Sequence, residues 1–268
     1  MKNGYLAFAV LLFITIMQVC AGSVLGGVHD PMTGTQSGYL TSVAVLDSLA
    51  LLPPPPAKGS AAMALDEEVN RKCLAFKGKP RWDLAAQDAV LKFPEASGTF
   101  ACALGALITA KDTPHLYTLL IRTLADAGQT TKKAKDYYSR ARPFMVNKEP
   151  SCTPADENAL AKNGSYPSGH TTIGWAWALI LTELAPDRAD EILARGFAFG
   201  ESRLVCNVHW QSDVTAGRIM GAAMVARLHA DPSFRADLEA ARAELAAVRA
   251  RGLKPRRNCA AEAAALGK

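Results

Sequence analysis

From about Trp82 to Arg249, apolar residues recur every three or four positions among many alanines, a period that predicts helices. The segments so marked are 82–93, 115–127, 131–141, 169–185, 188–203, 208–230 and 232–249. No stretch alternates apolar and polar residues as a half-buried strand would. Breaks fall at Pro114, Pro143, Pro150, Pro167, Pro186 and Pro232, where proline or the residue before it disfavours helix. The body reads as all-α, a single-domain helical bundle.

Upstream the pattern changes. Lys2 precedes an apolar run from Tyr5 to Val19 and small residues around Ala21, which is the shape of a secretory signal peptide. The run falls short of the ~20 residues a membrane-spanning helix needs, so cleavage after Ala21 is expected. Residues 22–60 are rich in Gly, Ser, Thr and Pro and end in the run Pro53–Pro56, which reads as an extended strap. The organisation expected is a signal peptide at 1–21, the strap at 22–60, the helical domain at 61–250 and a tail at 251–268. The tail carries Lys254, Arg256 and Arg257 and then turns alanine-rich; its basic cluster reads as a solvated end.

With 268 residues, 49% hydrophobic and 21% charged, the chain buries a sizeable core and is neither disordered nor collagen-like. A net charge of +5 spread along the chain leaves no nucleic-acid footprint. Export would place Cys73, Cys102, Cys152, Cys206 and Cys259 where cysteines pair, with at least one left over. None stands in a zinc-type spacing, so no thiolate metal site is expected.

Walker loops, zinc-protease helices, serine-hydrolase elbows, dinucleotide fingerprints and cysteine-phosphatase loops are all missing from the sequence. Three clusters remain. In KDYYSRARP, Lys135 and Arg142 stand about two helical turns apart, hence on one helix face, with Arg142 where Pro143 should stop the helix. In GSYPSGHT, Ser168 is a natural N-cap, Gly169 permits close approach, and free N–H groups at the helix start suit an anion with His170 at its edge. In SRLVCNVHWQSD, Arg203 offers a planar fork for phosphate oxygens, and His209 and Asp213 share a face if helical, so the carboxylate can fix the imidazole tautomer. Each cluster alone also fits a bland structure: a solvated cation, a capped helix, a surface His/Asp contact.

Taken in order, the three clusters resemble the signature shared by type 2 phosphatidic acid phosphatases, bacterial acid phosphatases and vanadium haloperoxidases. The resemblance is closest to the secreted class A bacterial non-specific acid phosphatases, and includes the LLPPPP strap at Leu51–Pro56. It implies an exported phosphomonoesterase needing no metal or other cofactor. Lys135, Arg142, Ser168, Gly169 and Arg203 would bind the phosphoryl group, His209 attack phosphorus, Asp213 orient His209, and His170 protonate the leaving oxygen. It also implies a Cys152–Cys206 disulfide, a homo-oligomer and, in a bacterium with two membranes, a periplasmic location. The partners expected are small phosphomonoesters, with no nucleic acid polymer and no membrane contact once the signal is removed.

Substrate choice would rest on loops such as 145–162, and Tyr137, Tyr138, Phe144 and Tyr166 are candidates to stack on a nucleobase or aryl group. Cys73, Cys102, Cys259 and the long tail look like additions to the class pattern. Two other readings use the same cradle: a vanadate-dependent haloperoxidase, usually a longer chain, and an exported phosphate-binding protein, which has no need of the His209–Asp213 pair. A membrane lipid phosphatase would need several spanning helices, which the hydropathy does not offer.

Overall fold

The computed structural model describes residues 37–267. The expected signal peptide and residues 22–36 of the strap lie outside the described residues. Within the described residues the chain is helical, and no strand occurs. The principal helices are α1 (Ala61–Leu74), α2 (Pro80–Asp88), α3 (Pro114–Thr130), α4 (Lys132–Tyr138), α5 (Gly169–Leu184), α6 (Ala189–Val205), α7 (Gln211–Leu228), α8 (Pro232–Ala250) and α9 (Cys259–Ala265). Their starts follow local chemistry. Ser60, Ser168, Asp231 and Asn258 each accept a backbone N–H of the first turn, and proline opens α2, α3 and α8 where its missing N–H costs nothing.

The most apolar of these helices, α5, is the axis of the bundle. It packs along α6 and α7 and against α3, and α8 closes over α3. Trp177 on α5 is 1% exposed, and its indole N–H donates to the Leu120 carbonyl and Thr123 Oγ1 of α3, both at 3.1 Å. The contacts of α5 depend on missing side chains. A Cβ on Gly174 would lie 2.1 Å from the Phe199 ring of α6, and one on Gly217 of α7 would lie 2.6 Å from the Ser168 carbonyl oxygen.

Several sequence expectations are revised. The period overlooks α1, whose buried positions are the polar Asp66 and Asn70. The segment expected at 82–93 ends at Asp88. The helix expected over 131–141 stops at Tyr138 because Ser139 turns left-handed (φ 43°), so Lys135 and Arg142 do not share a helix face. The helix expected from 208 begins at Gln211, which leaves His209 ahead of it. Residues 48–51 form one helical turn capped by Asp47 within the segment read as extended, while Pro53–Pro56 adopt no helix.

Cysteine pairing is also settled by the fold. Cys152–Cys206 is bridged, and Cys102–Cys259 ties α9 to the core, leaving Cys73 free among the described residues. The tail is therefore held against the body, and of its basic cluster only Arg257 is drawn in. Glu262 of α9 is 7% exposed and pairs with Arg195 at 3.2 Å and Arg257 at 2.9 Å, although Lys254 and Arg256 stay exposed.

Gly217→Ala should lower unfolding free energy by about 1–3 kcal/mol, because the new methyl meets backbone rather than a movable side chain. Denaturant unfolding checks this. An unchanged midpoint would remove the close-approach account of the α5–α7 contact.

Candidate active site

The left-handed Ser139 reverses the chain after α4 so that Arg142 becomes the residue capping the short helix Pro143–Asn147. Lys135 and Arg142 thus approach one cavity from two elements. Lys135 Nζ donates to the Gly164 carbonyl at 2.7 Å. Arg142 is 2% exposed and donates from Nε to the carbonyls of Leu160 (2.9 Å) and Asn163 (3.2 Å) and from Nη1 to Val208 (3.0 Å).

Arg142 Nη1 also lies 3.0 Å from His209 Nε2. A guanidinium only donates, so Nε2 carries the lone pair and the ring proton sits on Nδ1. That nitrogen faces Asp213 Oδ2 and Ser165 Oγ, both at 3.3 Å. Ser165 Oγ donates to the same carboxylate oxygen, as does Trp210 N–H at 2.8 Å. The His209–Asp213 contact therefore crosses the start of α7, where Asp213 also satisfies a free N–H of the first turn.

His170, in the first turn of α5, has Nε2 3.0 Å from the Ala89 carbonyl just past α2. A carbonyl only accepts, so Nε2 carries a proton and Nδ1 is left to exchange one with a ligand. Ser168 Oγ accepts from Thr171 Oγ1 at 2.9 Å and Thr171 N at 3.3 Å. Arg203, near the end of α6, is 2% exposed, and its Nε and Nη1 have no hydrogen-bond partner.

A cavity of about 610 Å³ is lined by Lys135, Arg142, Gly169, His170 and His209, with Leu160 and Lys162 contributed by the loop singled out for substrate choice. Ser168, Arg203 and Asp213 are buried behind that wall. None of the four aromatic candidates lines it. Tyr166 is 2% exposed and donates to the Pro53 carbonyl; Tyr138 packs edge-on against Tyr166, Tyr137 against Tyr138, and Phe144 sits in a separate apolar cluster. The expected stacking is corrected accordingly: Tyr166, Tyr138 and Phe144 are engaged in packing, and Tyr137 lies largely exposed away from the cavity.

Crowded cations set the electrostatics. Burial, then Arg142, pulls the Lys135 ammonium down to about 7. Burial pulls Arg142 down to about 10, and burial with Arg142 beside it does the same to Arg203. Burial followed by the nearby cations holds both His209 and His170 well below the usual histidine value. Among the described residues no three His, Cys, Asp or Glu side chains converge as a metal site would require. Positive charge and imidazole converge instead, and that suits an anion.

Three residues at the site escaped the sequence reading of function. Ser165 and Arg140 stand inside the quoted motifs, so position marked them without a role; Asp66 on α1 belongs to no motif.

Fold and site together define an all-α protein in which buried cations surround a carboxylate-paired imidazole, an arrangement that suits an anion. Residues 114–236 match the PAP2 superfamily. The chain is 43% identical to a non-specific acid phosphatase of Providencia stuartii, covering 81% of this chain and 88% of the relative. It is 41% identical to a non-specific acid phosphatase of Salmonella typhimurium (91% and 93% covered) and 47% identical to an acid phosphatase of Zymomonas mobilis (74% and 75% covered). The crystal structure of a bacterial vanadium-dependent iodoperoxidase aligns with a TM-score of 0.52 and 16% identity over 76% of this chain; the chain spans 59% of that protein, and the likeness is one of fold. This chain belongs to the non-specific acid phosphatases of the PAP2 superfamily, and it is an acid phosphatase.

Lys135 is charged below about pH 7 and neutral above it, so the cradle loses a cation as pH rises through that value. Sulfate, which does not titrate there, should bind several-fold more weakly at pH 8 than at pH 6 by calorimetry. In Lys135→Arg, which keeps its charge, this fall should shrink. The same fall in the variant would assign it to another group.

Proposed function

We propose that this acid phosphatase is an exported, metal-independent phosphomonoesterase working through a phosphohistidine at His209. The observation that carries the reading is the 3.0 Å contact of Arg142 Nη1 with His209 Nε2, which marks Nε2 as the unprotonated atom beside the cationic cradle. A bound phosphoryl group would draw Arg142 and the unsatisfied Arg203 onto its oxygens, together with Lys135, the Ser168 hydroxyl and the N–H groups at Gly169 and beyond. Nε2 then attacks phosphorus as the P–O bond to the leaving group breaks, and Nδ1–H stays with Asp213. His170 gives the departing oxygen a proton. In the second half, water loses a proton to His170 as its oxygen attacks phosphorus, the P–N bond breaks, and phosphate leaves.

Burial, then Arg203, holds His170 well below the usual histidine value and so disfavours its cation. A bound phosphate dianion offsets those cations and raises its basicity, so the acid is generated by the substrate it serves. His209 needs its lone pair free and His170 needs its proton, which predicts a bell-shaped profile peaking at acidic to neutral pH.

A cavity larger than a phosphoryl group, without aromatic lining, supports tolerance for varied leaving groups, nucleotides and aryl phosphates among them. Export and homo-oligomer formation belong to the same reading and rest on the N-terminal pattern and the family resemblance. No helix of the described residues is long and apolar enough to cross a membrane.

Hydrolysis of p-nitrophenyl phosphate near pH 6 should persist in excess EDTA and drop at least about 1,000-fold in His209→Ala. Loss of turnover on chelation, or its survival in the variant, would sink the mechanism.

A further inference from the structure

Asp213 has a second oxygen that does not face the imidazole. Oδ2 collects the donors from His209, Ser165 and Trp210, while Oδ1 accepts Arg140 Nη1 at 2.6 Å. Arg140 reaches further. Its Nη1 donates to Ser212 Oγ at 2.7 Å and its Nη2 to Asp66 Oδ2 at 2.8 Å. Asp66, on α1, closes the ring by accepting Ser212 N–H on Oδ1 at 2.8 Å and Ser212 Oγ–H on Oδ2 at 2.6 Å. The three charged side chains are 10%, 2% and 0% exposed for Arg140, Asp66 and Asp213.

We propose that Arg140, clamped by Asp66 and Ser212, is a positioning residue that sets the angle and effective charge of Asp213 and so the alignment and basicity of His209. This rests on His209 being the nucleophile. Neither Arg140 nor Asp66 lines the catalytic cavity, so neither touches the substrate. Asp66 also lies outside residues 114–236, the stretch that matches the superfamily. The clasp therefore lends the site a support from a helix outside that stretch.

Two physical consequences follow. A carboxylate held at one oxygen alone can rotate, and Arg140 removes that freedom, while Asp66 accepts the Ser212 N–H in the first turn of α7. One guanidinium serves two buried carboxylates, leaving one negative charge beside three cations. His209 is faced by Asp213, Arg142, Lys135, Arg203 and His170. With those five unchanged, removing Arg140 makes the surroundings more negative and His209 more basic, whereas removing the charge of Asp66 does the reverse.

The test compares Arg140→Gln and Asp66→Asn with wild type, using p-nitrophenyl phosphate from pH 4 to 9, with thermal melting to confirm folding. Both should lower kcat about 10- to 100-fold with KM changed less than about threefold, the cost of a misaligned nucleophile. The acid limb of kcat/KM should move to higher pH in Arg140→Gln and to lower pH in Asp66→Asn. Arg140→Lys, which keeps the charge without the fork, should lose kcat while leaving the limb near its wild-type position. Opposite displacements are not what a loss of packing produces. If Arg140→Gln does not fold, the downward shift in Asp66→Asn and the kcat loss in Arg140→Lys carry the same decision. Unmoved limbs, limbs moving together, or kcat within about twofold of wild type in the folded variants would overturn the clasp while His209→Ala stays inactive. Turnover surviving in His209→Ala overturns the phosphohistidine reading and the clasp with it.

Discussion

The structure is organised around the cost of burying positive charge. Lys135, Arg142 and Arg203 converge on one imidazole in a place where water is largely excluded, with Asp213 the carboxylate set against His209. Charges so placed repel one another and lack solvation. Backbone carbonyls of Leu160, Asn163, Gly164 and Val208 take up part of the cost, since each is turned toward Lys135 or Arg142. Arg203 is left with two unsatisfied nitrogens, the deficit that the proposed phosphoryl binding would repair. The downward displacement of both histidines, of Lys135 and of both arginines has this single origin.

Holding such a cradle together requires rigid supports, and these are themselves ionic. Asp88 accepts from both terminal nitrogens of Arg195 and from Ser202 Oγ, while Arg81 donates to Ser202 Oγ and the Ala198 carbonyl. This locks α2 onto α6 directly beside Arg203, and the next carbonyl along, that of Ala89, orients His170. Arg195 continues to Glu262 on α9, so the C-terminal tail is tied to the same network and stapled by Cys102–Cys259. Buried ion pairs contribute little net stability compared with apolar contacts of equal size, but they fix geometry, and geometry is what phosphoryl transfer needs.

Helix type and order were legible because burial of one face imposes a local period, and the seven marked segments all contain helix. The helix start at Ser168 was legible for the same reason: the cap is a contact three residues long. Motif order carried the family. Nothing local announced Asp66, since an aspartate in an exposed-looking helix gains meaning only when Ser212, 146 residues away, folds onto it.

What the sequence determined by itself was the all-α class, the order of the three motifs and so the family. Tertiary structure decided how the motifs meet. Lys135 and Arg142 face one cavity through a left-handed turn at Ser139, not through helical periodicity, and His209 stands before α7 where the helix start, not a shared face, brings Asp213 to it. Tyr166, Tyr138 and Phe144 went to packing, and Glu262 of the tail found a buried partner in Arg195. Periodicity averages over a few neighbouring residues. Chain reversals, shared counter-ions and contacts between distant helices are properties of the packed whole.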